Sequence, residues 1–148
     1  MEIKITPFLW FDNRADEAAA FYHSIFNRNS VDLKPSPDAP AVPFDLAGQP
    51  FVAFNGNPGF AFTEAVSFLI TCEDQQEVDY YWTKLTEGGL EQQCGWLKDK
   101  FGVSWQVIPT ILPKYMLDKD RAKANSVLQA MLKMKKIDVA KLEQAYVS

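Results

Sequence analysis

Two stretches decide how this chain reads: Phe8-Leu9-Trp10-Phe11 with Glu17-Ala18, Phe21-Tyr22 and Ile25 behind it, and Phe68-Leu69-Ile70-Thr71 with Glu77-Val78, Tyr81-Trp82 and Leu85 behind it. Laid on each other at an offset of 60 residues, they match without a gap. Self-similarity at a fixed offset marks a repeated supersecondary unit. In each copy an apolar strand (about 3–11 and 65–72) leads through a polar turn into an amphipathic helix (about 14–26 and 74–87). The helices carry apolar residues at i, i+3, i+4 and i+7: Ala18, Phe21, Tyr22 and Ile25, then Val78, Tyr81, Trp82 and Leu85. Asp74 with Glu77 has the spacing of a capping box, and Gly88-Gly89 supplies a stop.

After each helix the text changes to short β segments. Ser30–Leu33, Val42–Leu46 and Phe51–Asn55 follow the first, with Ala47-Gly48-Gln49-Pro50 as a hairpin turn; Leu90–Gln93, Gly95–Lys98 and Val103–Pro109 follow the second, with Asp99-Lys100-Phe101-Gly102 as the turn. The expected fold class is therefore α+β: two tandem βαβββ modules (about 1–58 and 62–110) forming a cupped mixed β-sheet with helices outside. A C-terminal helical tail (about 114–148) follows Pro113, with helices near Ala122–Lys135 and Val139–Tyr146 and Asp138 capping the second.

Composition narrows the functional classes. A chain of 148 residues, 47% hydrophobic, can bury a sizeable core in one domain without disulfide or metal staples. Its longest apolar runs fall far short of the ~20 residues of a membrane span, so no membrane association is expected. The first residues alternate in charge and lack a signal-peptide pattern, which makes a cytoplasmic location the expectation and Cys72 and Cys94 free thiols. The net charge of −4 divides unevenly: residues 114–148 hold eight Lys/Arg against four Asp/Glu. Such a basic tail reads as the solvated face of terminal helices, and no nucleic-acid partner is expected.

The strings Pro7-Phe8-Leu9-Trp10-Phe11, Phe54-Asn55-Gly56-Asn57-Pro58, Ala65-Val66-Ser67-Phe68, Cys94-Gly95-Trp96-Leu97-Lys98-Asp99 and Gly102-Val103-Ser104-Trp105-Gln106 extend the repeat into a resemblance. The paired modules resemble the vicinal-oxygen-chelate superfamily of glyoxalase I, bleomycin-resistance proteins and extradiol dioxygenases. The five strings look like its PhnB-like branch, whose members are often labelled 3-demethylubiquinone-9 3-methyltransferases. Between Phe26 and Gly48 the chain is shorter than is usual there, which puts the second strand or its hairpin in doubt.

In the enzymes of that superfamily four side chains from the first, fourth, fifth and eighth strands hold a divalent metal. Carried onto this sequence, the positions are Pro7, Ala53, Ser67 and Gln106. Borderline metals need imidazole, carboxylate or thiolate donors, which this set lacks, and His23 is the single histidine; no metal is expected. A methyltransferase would need S-adenosylmethionine, yet none of the seven glycines forms a GxGxxG turn after a strand, and no cofactor is expected. Neither paired carboxylates nor a Cys–His arrangement stands out, so catalytic residues stay unassigned.

What the resemblance implies instead is a ligand cleft in the cupped sheet and a homodimer. With Gln106 facing the cleft, the strand period of two sends Ser67, Leu69 and Thr71, and Pro7, Leu9 and Phe11, the same way, leaving Phe8, Trp10, Phe68 and Ile70 under the helices. The candidate site is Leu9, Asn55, Ser67, Cys94, Trp96 and Gln106, with Trp96 a stacking wall and the partner a small molecule. Two other classes stay open: an enzyme, either a quinone methyltransferase or a metal-dependent lyase or dioxygenase, and a structural or partner-binding dimer without ligand.

Overall fold

The structure, a computed structural model, describes residues 2, 4–27 and 38–148. It divides into two compact units, residues 1–61 and 62–148. The expected strand Ser30–Leu33 lies outside the described residues.

In the first unit β1 (Phe8–Phe11) leads to α1 (Ala15–Phe26), followed by β2 (Ala41–Leu46) and β3 (Gln49–Asn55). The strands run in the order β1-β3-β2, β1 parallel and β2 antiparallel to β3. The hairpin turn is tighter than expected. It consists of Ala47 and Gly48 alone, both with positive φ, and Gln49 and Pro50 already belong to β3. Two left-handed residues give a turn whose twist matches that of the flanking strands, and Asp45 Oδ1 accepts the Gly48 N–H at 2.9 Å. Pro43 is tolerated because, among the described residues, β2 stands at the edge of the sheet. One sheet face packs on α1 through rings: Tyr22 lies within 6.4 Å of Phe11 and stacks on Phe44, which stacks on Phe51.

In the second unit β4 (Ser67–Cys72), α2 (Gln75–Thr86), β5 (Leu90–Glu91), β6 (Trp96–Lys98) and β7 (Ser104–Pro109) build a mixed sheet in the order β4-β7-β6-β5. The Asp74 cap forms as its spacing requires. Its carboxylate accepts the Glu77 N–H at 2.9 Å, while Glu77 Oε2 accepts at 2.9 Å the N–H of Glu73, one residue before the cap, rather than that of Asp74 as a capping box would have it. Val78, Trp82 and Leu85 of α2 are buried, as are Leu97, Trp105 and Val107 of the sheet. Asp99, also buried, organises the β6–β7 turn. It accepts from the Phe101 and Val103 N–H groups and from Trp105 Nε1 at 2.9, 3.1 and 2.9 Å.

The tail forms three helices, α3 (Ile111–Met116), α4 (Arg121–Met131) and α5 (Val139–Val147). Helix starts before Pro113, which therefore sits in a first turn, where a missing N–H costs no hydrogen bond. Asp120 and Asp138 cap the other two helices through backbone N–H groups. Leu112, Val127, Met134, Ile137 and Leu142 bury themselves against Ile108 of β7, so the tail is built into the core of the second unit.

Candidate functional site

On the sheet face of the second unit turned away from α2, pairing sets Leu69 beside Gln106 and Thr71 beside Ile108 across β4 and β7, and Trp96 beside Gln106 across β6 and β7. These residues and Cys94 form one side of a cavity of about 550 Å³. The other side is Leu112, Pro113, Met116 and Leu117 from α3 and its end, and Met131 from α4. Among the described residues no charged side chain lines it.

Three of the sequence-predicted site residues, Cys94, Trp96 and Gln106, thus meet on one cavity wall. Ser67 lies one step along β4 and accepts a hydrogen bond from Gln106 Nε2 at 2.9 Å, which orients the amide. Next to Ser67 in the register is Ser104, whose buried hydroxyl has no partner among the described residues. Cys94 has φ 61°, and its N–H donates to Met134 O at 2.8 Å. The other thiol, Cys72, belongs to the opposite, helix-side face; burial, reinforced by the carboxylates of Glu77 and Asp74, pushes it up to about 12.

Leu9 and Asn55 belong to the first unit and serve its fold. Asn55 is committed to structure: Oδ1 accepts the Ala15 N–H at 2.9 Å at the start of α1, and Nδ2 donates to Ala39 O at 2.8 Å. Leu9 is 8% exposed and shares its face with Phe11, which packs on Tyr22, so it lies on the helix side. The parity expected for β1 is therefore reversed. Phe8 and Trp10 point to the other face, where Phe54 lies within 5.2 and 4.8 Å of them. The cause is one residue in a turn. Helix starts Ala15 and Gln75 are 60 apart, but the last helix-facing strand residues, Phe11 and Cys72, are 61 apart. The extra residue of the first turn is absorbed with Asn13 in the left-handed region, at φ 56°. A one-residue slip exchanges the faces of a strand.

In the second unit the expected parity holds: Leu69, Thr71, Gln106 and Ile108 line the cavity, while Phe68 packs on Trp105 on the other side. The tail residues of the wall lie outside the candidate site that the sequence offered.

The four positions of the superfamily's metal do not fit an ion here. Ala53 is fully buried on the α1 side, Pro7 carries no donor, and Ser67 and Gln106 are bonded to each other. Among the described residues no three His, Cys, Asp or Glu side chains gather as a metal-binding set. His23 pairs with Asn27 Nδ2 at 3.0 Å on α1.

Two mixed sheets, each carrying a helix, define a glyoxalase-like α+β fold. The family model described as 3-demethylubiquinone-9 3-methyltransferase matches residues 3–108, and the chain belongs to that family, in the PhnB-like branch of the glyoxalase superfamily. A PhnB protein from Bacillus cereus, described as a 3-demethylubiquinone-9 3-methyltransferase, is 34% identical, with a TM-score of 0.62 over 73% of this chain and 100% of that one. A Pseudomonas aeruginosa protein is 20% identical with a TM-score of 0.59, over 73% of this chain and 98% of its own. A fosfomycin resistance protein from Listeria monocytogenes, 17% identical with a TM-score of 0.50 over 73% and 91%, shares the fold. Among curated proteins no match is found. Among the described residues no helix is long and apolar enough to cross a membrane.

Proposed function

We propose that this chain binds a small, uncharged, mostly apolar molecule in the cavity of its second unit, and does so without a metal. The observation that carries this reading is the cavity lining, apolar apart from Thr71, Cys94, the Trp96 indole N–H and the oriented amide of Gln106. An uncharged ligand loses little solvation there, whereas an ion would be stripped of water with no counter-charge. The family's description as a methyltransferase brings S-adenosylmethionine into question. Its sulfonium, ammonium and ribose hydroxyls call for acidic partners, which the lining does not offer, so no methyl-transfer step is derived.

The test is a thermal-shift titration with a hydroxy-quinone lacking charge, S-adenosylmethionine and zinc or nickel ions, since anything that binds only the native state raises apparent stability. The quinone is expected to raise Tm in the natural chain and to lose that effect in Gln106→Leu or Trp96→Ala. Stabilisation by S-adenosylmethionine, or about one equivalent of metal per purified chain, would overturn the reading in favour of an enzyme. The homodimer that the resemblance implies belongs to the same reading, supported by the exposed Ile5, Phe8 and Phe60 of the first unit. Light scattering at the mass of one chain would exclude it.

A further inference from the structure

The family model ends at residue 108, and the Bacillus cereus chain, matched over its whole length, covers 73% of this one. The helices α3, α4 and α5 all lie beyond that region. Five of the residues lining the cavity come from them or the turn after α3, and every one is Leu, Pro or Met. The side chains able to hydrogen-bond, those of Thr71, Cys94, Trp96 and Gln106, all come from the matched region. The two walls of the cavity are thus chemically different, and they come from different parts of the chain.

The tail is fixed to its place at several points. The N–H groups of Cys94 and Gly95 donate to Met134 O and Lys135 O, both at 2.8 Å. Gln75 clasps the start of α5 with both ends of its amide, donating to Ile137 O at 3.0 Å and accepting the Val139 N–H at 2.7 Å. Gly95 allows the close passage. A Cβ there would stand 2.9 Å from Ile108 Cδ1 and 3.1 Å from Ile137 Cγ1, on a residue with φ +80°. Lys136 pairs with Asp79 of α2 at 2.9 Å.

We propose that the C-terminal helices are a built-in specificity wall: they supply the apolar half of the cavity and make this chain select neutral ligands over anionic ones of the same shape. This rests on the binding reading above. Met116 and Met131 suit ring edges because the thioether is polarizable and the side chain adaptable. Anionic ligands are disfavoured at short range, because the basic residues of the tail are not among the lining side chains.

The experiment compares two fluorescent probes of one skeleton, neutral N-phenyl-1-naphthylamine and 1-anilinonaphthalene-8-sulfonate, on the full chain at 0.15 M salt, where distant charges are screened. The natural chain is expected to bind the neutral probe at least tenfold more tightly. Met131→Lys and Leu117→Lys place a cation at the wall and are expected to shift that ratio toward the sulfonate by at least tenfold and about threefold. Leu117 is 82% exposed, so its variant keeps the test valid if Met131→Lys fails to fold. Thr71→Trp, on the sheet wall, is expected to weaken both probes. Unchanged ratios in both lysine variants, with Thr71→Trp still weakening binding, would overturn the specificity wall and leave the binding reading standing. If the natural chain binds neither probe, or Thr71→Trp binds both unchanged, the binding reading falls as well. A natural chain that binds the sulfonate as tightly as the neutral probe overturns the wall alone.

Discussion

Asp99 shows how much one buried carboxylate can organise. It takes two turn N–H groups and the Trp105 indole, and replacing it removes the acceptor of all three, two of them buried. Asp99→Ala should lower unfolding free energy by about 3 kcal/mol, read from the urea midpoint, with Trp105→Phe losing about 1 kcal/mol. The thiols divide in the same local way. Cys72 is fully buried and held at about 12, so on the order of one in ten thousand is thiolate at pH 8, while Cys94 lines the cavity. A native chain should yield one thiol to Ellman's reagent within minutes and the second only after denaturation; two fast thiols would contradict this placement. The sequence assigned Cys94 and not Cys72 to the cleft, but how far each thiol is covered is decided by the pairing of β4 with β7 and by the tail's contact at Cys94.

At the scale of elements, caps and carboxylates set the terms. Asp74→Ala removes the side-chain acceptor at the start of α2 and should cost about 1 kcal/mol in a thermal or urea melt. Two carboxyl groups tie the tail. The Tyr146 hydroxyl donates to Asp118 at 2.6 Å, holding it below the usual carboxylate range, and Lys136 with Gln75 does the same for Asp79. A carboxyl whose native pKa is depressed stabilises the fold above its unfolded value, here near 3.8, and loses that contribution as pH falls through the native value. Tm should therefore be level above about pH 5 and fall below about pH 4, less steeply in Asp118→Asn; an equal slope in both would exclude Asp118 as a contributor. The cap at Asp74 was readable from spacing alone, since capping is local. Neither acidic partner was, since Tyr146 and Lys136 reach them across 28 and 57 positions of chain.

For the whole chain, the division of labour follows its two units and the added tail. Gly95 is where strand and tail pass closest, so Gly95→Ala should destabilise the second unit by about 2 kcal/mol, because the residue needs a left-handed φ and has no room for a methyl group. Hydrogen exchange should show the loss first at the amides of Cys94, Gly95 and Val139, which bridge the two parts. Gln75→Ala should expose the same Val139 amide with a smaller loss of Tm; protection unchanged in both variants would mean that the tail is held elsewhere.

The sequence alone determined the repeat, the strands and helices of the two modules among the described residues, the caps at Asp74 and Asp138 and the face of β7 that carries Gln106, because these follow from period, spacing and the conformational limits of single residues. Tertiary structure decided the rest. One added residue in the first turn, taken up with Asn13 in the left-handed region, reversed the faces of β1 and drew Leu9 under α1, and the period of a strand cannot register where its turn begins. Asn55 looked available for a ligand until Ala15 and Ala39 claimed both ends of its amide. The second wall of the cavity appeared only when α3 and α4 folded back onto β7. In the sequence Leu112 lies ahead of the helical tail and Met116 and Met131 are apolar residues within it; hydrophobic pattern specifies that a face is covered and leaves open what covers it.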